Sequence, residues 1–259
     1  MFPQVQVSSK QVAYYMHHAE HSDLNSGQRL AARKYEESLQ RLIERRDDIL
    51  KLRQLMPVSL FGHSTPSPRQ QAMLFRHSLD FFNDVYVTIS DLASFLGRIV
   101  GLWQGVPVRS NDKFIKWIAT AKDIPFGAEI APTLAQARDY RTLLNHSSQN
   151  AAYDWGTLFD RDADTTRVYL FGAPSSKGNI PAGSDMRDNG SNEWMFCAPD
   201  ERKVTDALFA PATVMTLIAG MQPLDDALST CTLEADGGGS APWMAAQSTL
   251  EDELEKYYK

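Results

Sequence analysis

The sequence predicts a mainly α protein, an up-and-down helical bundle with a small β-hairpin insertion. Three observations lead there. Two long stretches, starting near Ser26 and Pro68, repeat apolar residues with helical period. Two shorter helical patterns follow before residue 150. Beyond that point the chain turns to short β-branched and aromatic runs around a Gly/Ser/Asn/Asp-rich segment.

The first element is "SGQRLAARKYEESLQRLIERRDDILKLRQLM", in which Leu30, Tyr35, Leu39, Leu42, Ile43, Ile49 and Leu50 fall on one face. It stops before Pro57, because the residue ahead of a proline disfavours helix. "PVSLFGHSTPSP" is a loop by composition. The second helix spans 68–103, with Pro68 suited to a first turn. Its apolar residues, from Met73 and Leu74 through Tyr86 to Val100, cover most of its circumference, which places it centrally or in an interface. Ser110 or Asn111 caps a shorter helix over 112–122. "DIPFGAEIAP" reads as a loop, and a fourth helix begins near Pro132, turning Leu134, Ala137, Tyr140, Leu143 and Leu144 inward. "TTRVYLFGAP" and "NEWMFCAP" form the hairpin, about 165–199, with "SSKGNIPAGSDMRDNGS" as its tip. A further helix is expected over about 201–222, kinked at Pro211. Residues 1–230 thus form one helical domain, and 231–259 a linker and charged tail.

Composition narrows the function classes. Hydrophobic residues make up 43% and charged residues 22%, enough for a core without disulfides or metal. Cys197 and Cys231 are too few for a disulfide framework or a cysteine zinc site and suit a reducing cytoplasm. The opening "MFPQVQVSSKQVAYYMHH" has no secretory pattern, and no stretch of about 18 apolar residues predicts a membrane partner. The net charge of −6 gives no global basic field, so any nucleic-acid contact must come from a local patch. No phosphate-binding Gly loop, nucleophile elbow or paired-carboxylate motif occurs, and no cofactor is expected.

Four segments carry candidate chemistry. In "HHAEH", His17 and His21 are four apart with Glu20 beside them, a spacing that shares a metal, but no third ligand lies nearby. The basic residues of the first helix, among them Arg45, Arg46, Lys51 and Arg53, interleave with Glu44, Asp47 and Asp48, the mixture of a solvated helix face. Trp194, Met195 and Phe196 read either as a stacking surface or as a hairpin covering the core. Asp84 and Asp91, seven apart on one face, form either an ion pair between helices or an orienting shell for a site.

The fourth segment is "DYRTLLNHSSQN". Arg141 and His146 are five apart, roughly 140° round a regular helix, so they share a site only if the arginine bends or the last turn distorts. Arg141 and Asn145, four apart, share a face. Histidine suits proton transfer near neutrality, and arginine grips phosphate oxygens while keeping its charge. The two are the groups that metal-free RNA cleavage needs, with a symmetric dimer supplying both an acid and a base. The plainer reading is a surface arginine and a histidine at a helix C-terminus.

"YRTLLNHS" resembles the signature of the HEPN superfamily of small helical bundles, which includes many RNases of toxin–antitoxin and antiviral systems. An aromatic, Tyr140, precedes Arg141, apolar Leu143 and Leu144 follow, and His146 ends the motif. "FFNDVYVTISDLASFLGRIVGL" looks like the earlier helix on which members pack the motif and dimerise; the resemblance covers about 68–160. The chain departs from it at Thr142, where active members most often have Asn. The resemblance implies a metal-independent endoribonuclease acting on RNA as a homodimer, with a protein partner such as an antitoxin. Arg141 would bind the scissile phosphate, His146 would move protons, and Thr142, Asn145 and Asp91 would support them. The alternative is a non-catalytic HEPN-like dimeric scaffold that binds another protein.

Overall fold

A computed structural model describes residues 24–56, 66–98, 105–121, 127–145, 154–160, 165–172, 185–186 and 194–213. They are mainly helical, with a small antiparallel sheet. Helix α1 spans Ser26–Gln54, α2 Pro68–Arg98, α3 Asn111–Ile118, α4 Gly127–Asn145 and α5 Glu201–Phe209. The strands are β1 Asp154–Asp160, β2 Thr165–Gly172, β3 Asp185–Met186 and β4 Trp194–Cys197, in the order β1-β2-β4-β3.

Local chemistry sets the helix starts. Asn25 caps α1 in a reciprocal box: its Oδ1 accepts from Gln28 N at 3.0 Å, and Gln28 Oε1 accepts from Asn25 N at 2.9 Å. Ser67 and Gln70 repeat that exchange ahead of Pro68. Ser110 caps α3, and Asp200 caps α5 by accepting from Arg202 N and Lys203 N.

α1 and α2 run antiparallel. Gln28 Nε2 donates to Arg98 O at 2.8 Å at one end, and Gln70 Nε2 to Leu55 O at 3.4 Å at the other. Between them Tyr35, Leu39, Leu42, Ile43 and Ile49 of α1 bury against Phe81, Val85, Ile89, Leu92 and Phe95 of α2. Tyr35 stacks on Phe95 at 5.7 Å. Each fully buried side chain of this size stabilises by about 1.5–3 kcal/mol. Leu30, expected on this face, is 55% exposed; Ala31 and Ala32 take the buried positions at this end of α1.

Three of the expected boundaries move. α4 begins at Gly127, not near Pro132, and Pro132 lies inside it. Ala128 and Pro132 both face water, so solvent can serve the carbonyl that the proline leaves without a donor. Gly127 is required there, since a Cβ would sit 2.2 Å from Ile118 O, where α4 abuts the end of α3. That contact also marks where α3 stops, short of the expected 122. α5 gives way at Ala210–Thr213 to a 3-10 turn holding Pro211, whose missing N–H cannot continue an α-helix; residues to 222 lie outside those described.

The hairpin partners pair as expected, with Leu170 opposite Phe196. The sheet begins earlier than the hairpin expected from about 165, with β1 inside the stretch of about 68–160 that the family resemblance covers. β3, within the expected tip, pairs with β4. Val168, Leu170, Trp194 and Phe196 are buried on the inner face, where Trp155 stacks on Phe75 of α2 at 4.4 Å and Phe196 meets Tyr140 of α4 at 5.6 Å.

α5 docks on α1 through polar contacts. Arg53 Nη1 donates to Glu201 Oε2 at 2.7 Å and Nη2 to Oε1 at 2.8 Å, with side chains 9% and 2% exposed. Buried Arg46 donates to Thr205 Oγ1 at 3.3 Å, and the Tyr35 hydroxyl donates to Leu208 O. Burial pushes the Tyr35 hydroxyl well above the usual phenol range. Removing one member of a buried ion pair strands the other charge, so Glu201→Gln should cost about 3–5 kcal/mol in urea unfolding. Tyr35→Phe, which leaves a buried carbonyl short of a donor, should cost about 1–3 kcal/mol in the same assay.

Candidate functional site

α4 brings the motif against α2. Tyr140, Leu143 and Leu144 are buried, which turns Arg141 and Thr142 to the half-buried flanks and Asn145 to solvent. The described helix ends at Asn145; His146 lies outside the described residues, as does the "HHAEH" segment.

The Arg141 guanidinium lies over the Tyr86 ring of α2, with its Cζ 4.3 Å from the ring centroid. Its Nε is buried and has no hydrogen-bond partner, and among the described residues no carboxylate pairs with its guanidinium. Arg138, one turn earlier, is the contrast. It is held by Asp112 of α3 and by Asp139. Hydrogen bonds from Lys116 and Arg138 hold the Asp112 carboxyl below its ordinary value, so this carboxylate stays charged.

Asn145 and Arg141 share a face, as their spacing predicts: Asn145 Nδ2 donates to Arg141 O at 3.1 Å. The same amide donates to Asn83 Oδ1 of α2 at 2.8 Å, pinning the end of α4 across the helix pair. Thr142 is half-buried, and its Oγ1 donates to Arg138 O at 2.9 Å, four residues back.

Asp91 is not brought to Arg141. It is five residues past Tyr86, roughly 140° round α2, and faces α1. Asp84 keeps it company, paired with Arg45 of α1 at 3.5 Å. The seven-residue spacing therefore serves the α1–α2 contact. Burial pushes the Asp91 carboxyl above its ordinary value, opposed by the Ser38 hydroxyl, Lys34 and Arg41 and assisted by Glu37.

The other candidates sort by environment. Arg45, Arg46, Lys51 and Arg53 each pair with a carboxylate. Trp194 and Phe196 are fully buried, so they cover the core rather than offer a stacking surface. Among the described residues no group of three or more His, Cys, Asp or Glu could hold a metal, and no helix is long and apolar enough to cross a membrane.

Tyr86 and Asn83 are the partners that sequence reasoning missed as site residues. Asn83, Tyr86 and Ser90 are spaced three and four apart, so they share a face whose polar tips interrupt the apolar period, and that interruption is the available signal. No family model, curated protein or solved structure matches the chain.

A raised carboxyl pKa means that the folded state holds its proton to higher pH than the unfolded state. Stability linked to Asp91 is therefore present at low pH and lost as pH rises through the folded-state value. Asp91→Asn should flatten that limb of the stability–pH curve in urea melts taken from pH 4 to 7. An unchanged slope would remove this account of Asp91.

Proposed function

We propose that the chain is a HEPN-type endoribonuclease that cleaves RNA without a metal, as a homodimer in a toxin–antitoxin or antiviral setting. In this reading the helices form the HEPN-like up-and-down bundle and the sheet is its insertion. The observation that supports it is Arg141, a half-buried guanidinium stacked on an aromatic face and lacking a carboxylate among the described residues. A cation kept in that state suits an anion brought from outside. His146, next in sequence after the described end of α4, supplies the proton chemistry.

The reaction follows from those two groups. A histidine takes the proton from a ribose 2′-hydroxyl, and the 2′-oxygen attacks phosphorus. Arg141 balances the charge building on the non-bridging oxygens. The bond to the 5′-oxygen breaks as that oxygen is protonated, leaving a 2′,3′-cyclic phosphate and a 5′-hydroxyl. With one His146 from each copy, a two-fold dimer provides separate base and acid.

The rival is a non-catalytic HEPN-like scaffold that binds a protein partner. Thr142 favours it, standing where active members of the superfamily most often have Asn.

One assay separates them. Single-stranded RNA in EDTA should be cut to cyclic-phosphate products by the wild-type chain. His146→Ala should lower the rate on the order of 10²–10⁴-fold, the usual worth of a positioned general acid or base. Equal cleavage by wild type and variant, or none by either, would end the nuclease reading.

A further inference from the structure

We propose that Tyr86 is a positioning residue for this site: its ring holds the Arg141 guanidinium by its flat side and leaves the in-plane Nη edge for a phosphate. The inference rests on the endoribonuclease reading.

An arginine in a helix can be oriented in two ways. A carboxylate grips the edge, as Asp112 and Asp139 grip Arg138, and in doing so occupies the N–H donors and cancels the charge. An aromatic ring grips the face, leaving donors and charge available. Arg141 is held the second way, 4.3 Å above Tyr86. Its Nε is already buried without a partner, so the Nη groups are the edge that a ligand can reach.

The surroundings hold the two residues in register. Asn111 Nδ2 of α3 donates to Tyr86 O at 2.9 Å, and Ser90 Oγ donates to Asn111 Oδ1 at 3.0 Å, which fixes the α2 backbone beneath the ring. On the other side of Tyr86, the hydrogen bond from Asn145 Nδ2 to Asn83 Oδ1 ties α4 to α2. Arg141 and Tyr86 therefore sit between two cross-helix hydrogen-bonded contacts. A stack fastened in this way has little freedom to slide, which is what an oriented guanidinium requires.

The test uses the full chain, a fluorescein-labelled 2′-O-methyl RNA that cannot be cleaved, and unmodified RNA for activity. Tyr86→Leu keeps bulk but removes the ring face, and should weaken binding roughly 2- to 30-fold, the span of a cation–π contact. Tyr86→Phe, which keeps the face, should restore binding to within about twofold of wild type. In an Arg141→Ala background Tyr86→Leu should add no further loss, whereas a role in folding alone would subtract equally in both backgrounds. Thermal melts confirm that each variant is folded. If Tyr86→Leu binds and cleaves like wild type while Arg141→Ala is impaired, the role of Tyr86 is overturned and the nuclease reading stands. An equal loss in both backgrounds overturns it as well. If Arg141→Ala itself binds and cleaves like wild type, the nuclease reading fails and takes this inference with it.

Discussion

Helix α2 is the constraint on which the other elements depend. It packs against α1, α3, α4, α5 and the strands β1 and β2. A helix covered on so many sides must be apolar around most of its circumference, or it would bury polar groups at a cost of a few kcal/mol each. Phe81, Phe82, Val85, Ile89, Leu92, Phe95 and Leu96 meet that demand with essentially no exposed surface. The polar residues that interrupt the pattern are therefore informative. Asp84 and Asp91 look to α1, while Asn83, Tyr86 and Ser90 look to α3 and α4. One helix thus meets three neighbours through two stripes, and the second stripe carries the ring on which Arg141 lies.

Hydrophobic packing alone does not fix where α5 lies. Its contacts with α1 are the bidentate Arg53–Glu201 pair, the Arg46–Thr205 bond and the Tyr35–Leu208 bond, set at the start, middle and end of α5. Buried ion pairs add little net stability against an apolar equivalent, but a misplaced one is heavily penalised. One buried ion pair and two hydrogen bonds along nine residues hold α5 in register on α1. α5 also packs on α4, as Phe196 of the sheet does through Tyr140. The motif helix is thus backed by elements whose own positions are set by directional bonds.

The long helices were readable because their information is local. Pro68 in a first turn, the stop ahead of Pro57 and a sustained apolar period need no knowledge of the rest of the chain. What was misread depends on contacts distant in sequence. The start of α4 looks like a loop because of Pro125, Gly127 and Pro132, yet Gly127 is there to let α4 approach the Ile118 carbonyl. β1 has a weak period, with Gly156 and the exposed Leu158 on one side and Trp155 and Thr157 on the other, so only its pairing with β2 makes it a strand. Gly156 is there for Tyr169, whose hydroxyl would lie 2.7 Å from an added Cβ. For the same reason the sequence leaves Asp91 two readings, an ion pair between helices or an orienting shell: spacing tells which residues share a face, but not which helix that face meets.

Arg138 and Arg141 show how far identical residues diverge under that limit. They lie three positions apart on one helix, and nothing in their side chains distinguishes them. Asp139 next in sequence and Asp112 across the gap enclose the first, leaving it a structural tie between α4 and α3. The second meets an aromatic ring instead, and a ring cannot neutralise a guanidinium. A half-buried charge with a donor atom unsatisfied is a cost to folding that a carboxylate at this position would relieve. Tyr86 recovers part of that cost through the cation–π contact while leaving the charge intact. Among the described residues one cation lies over a ring without a carboxylate, beside another tied into structure, and that difference singles out Arg141 among the arginines of α4.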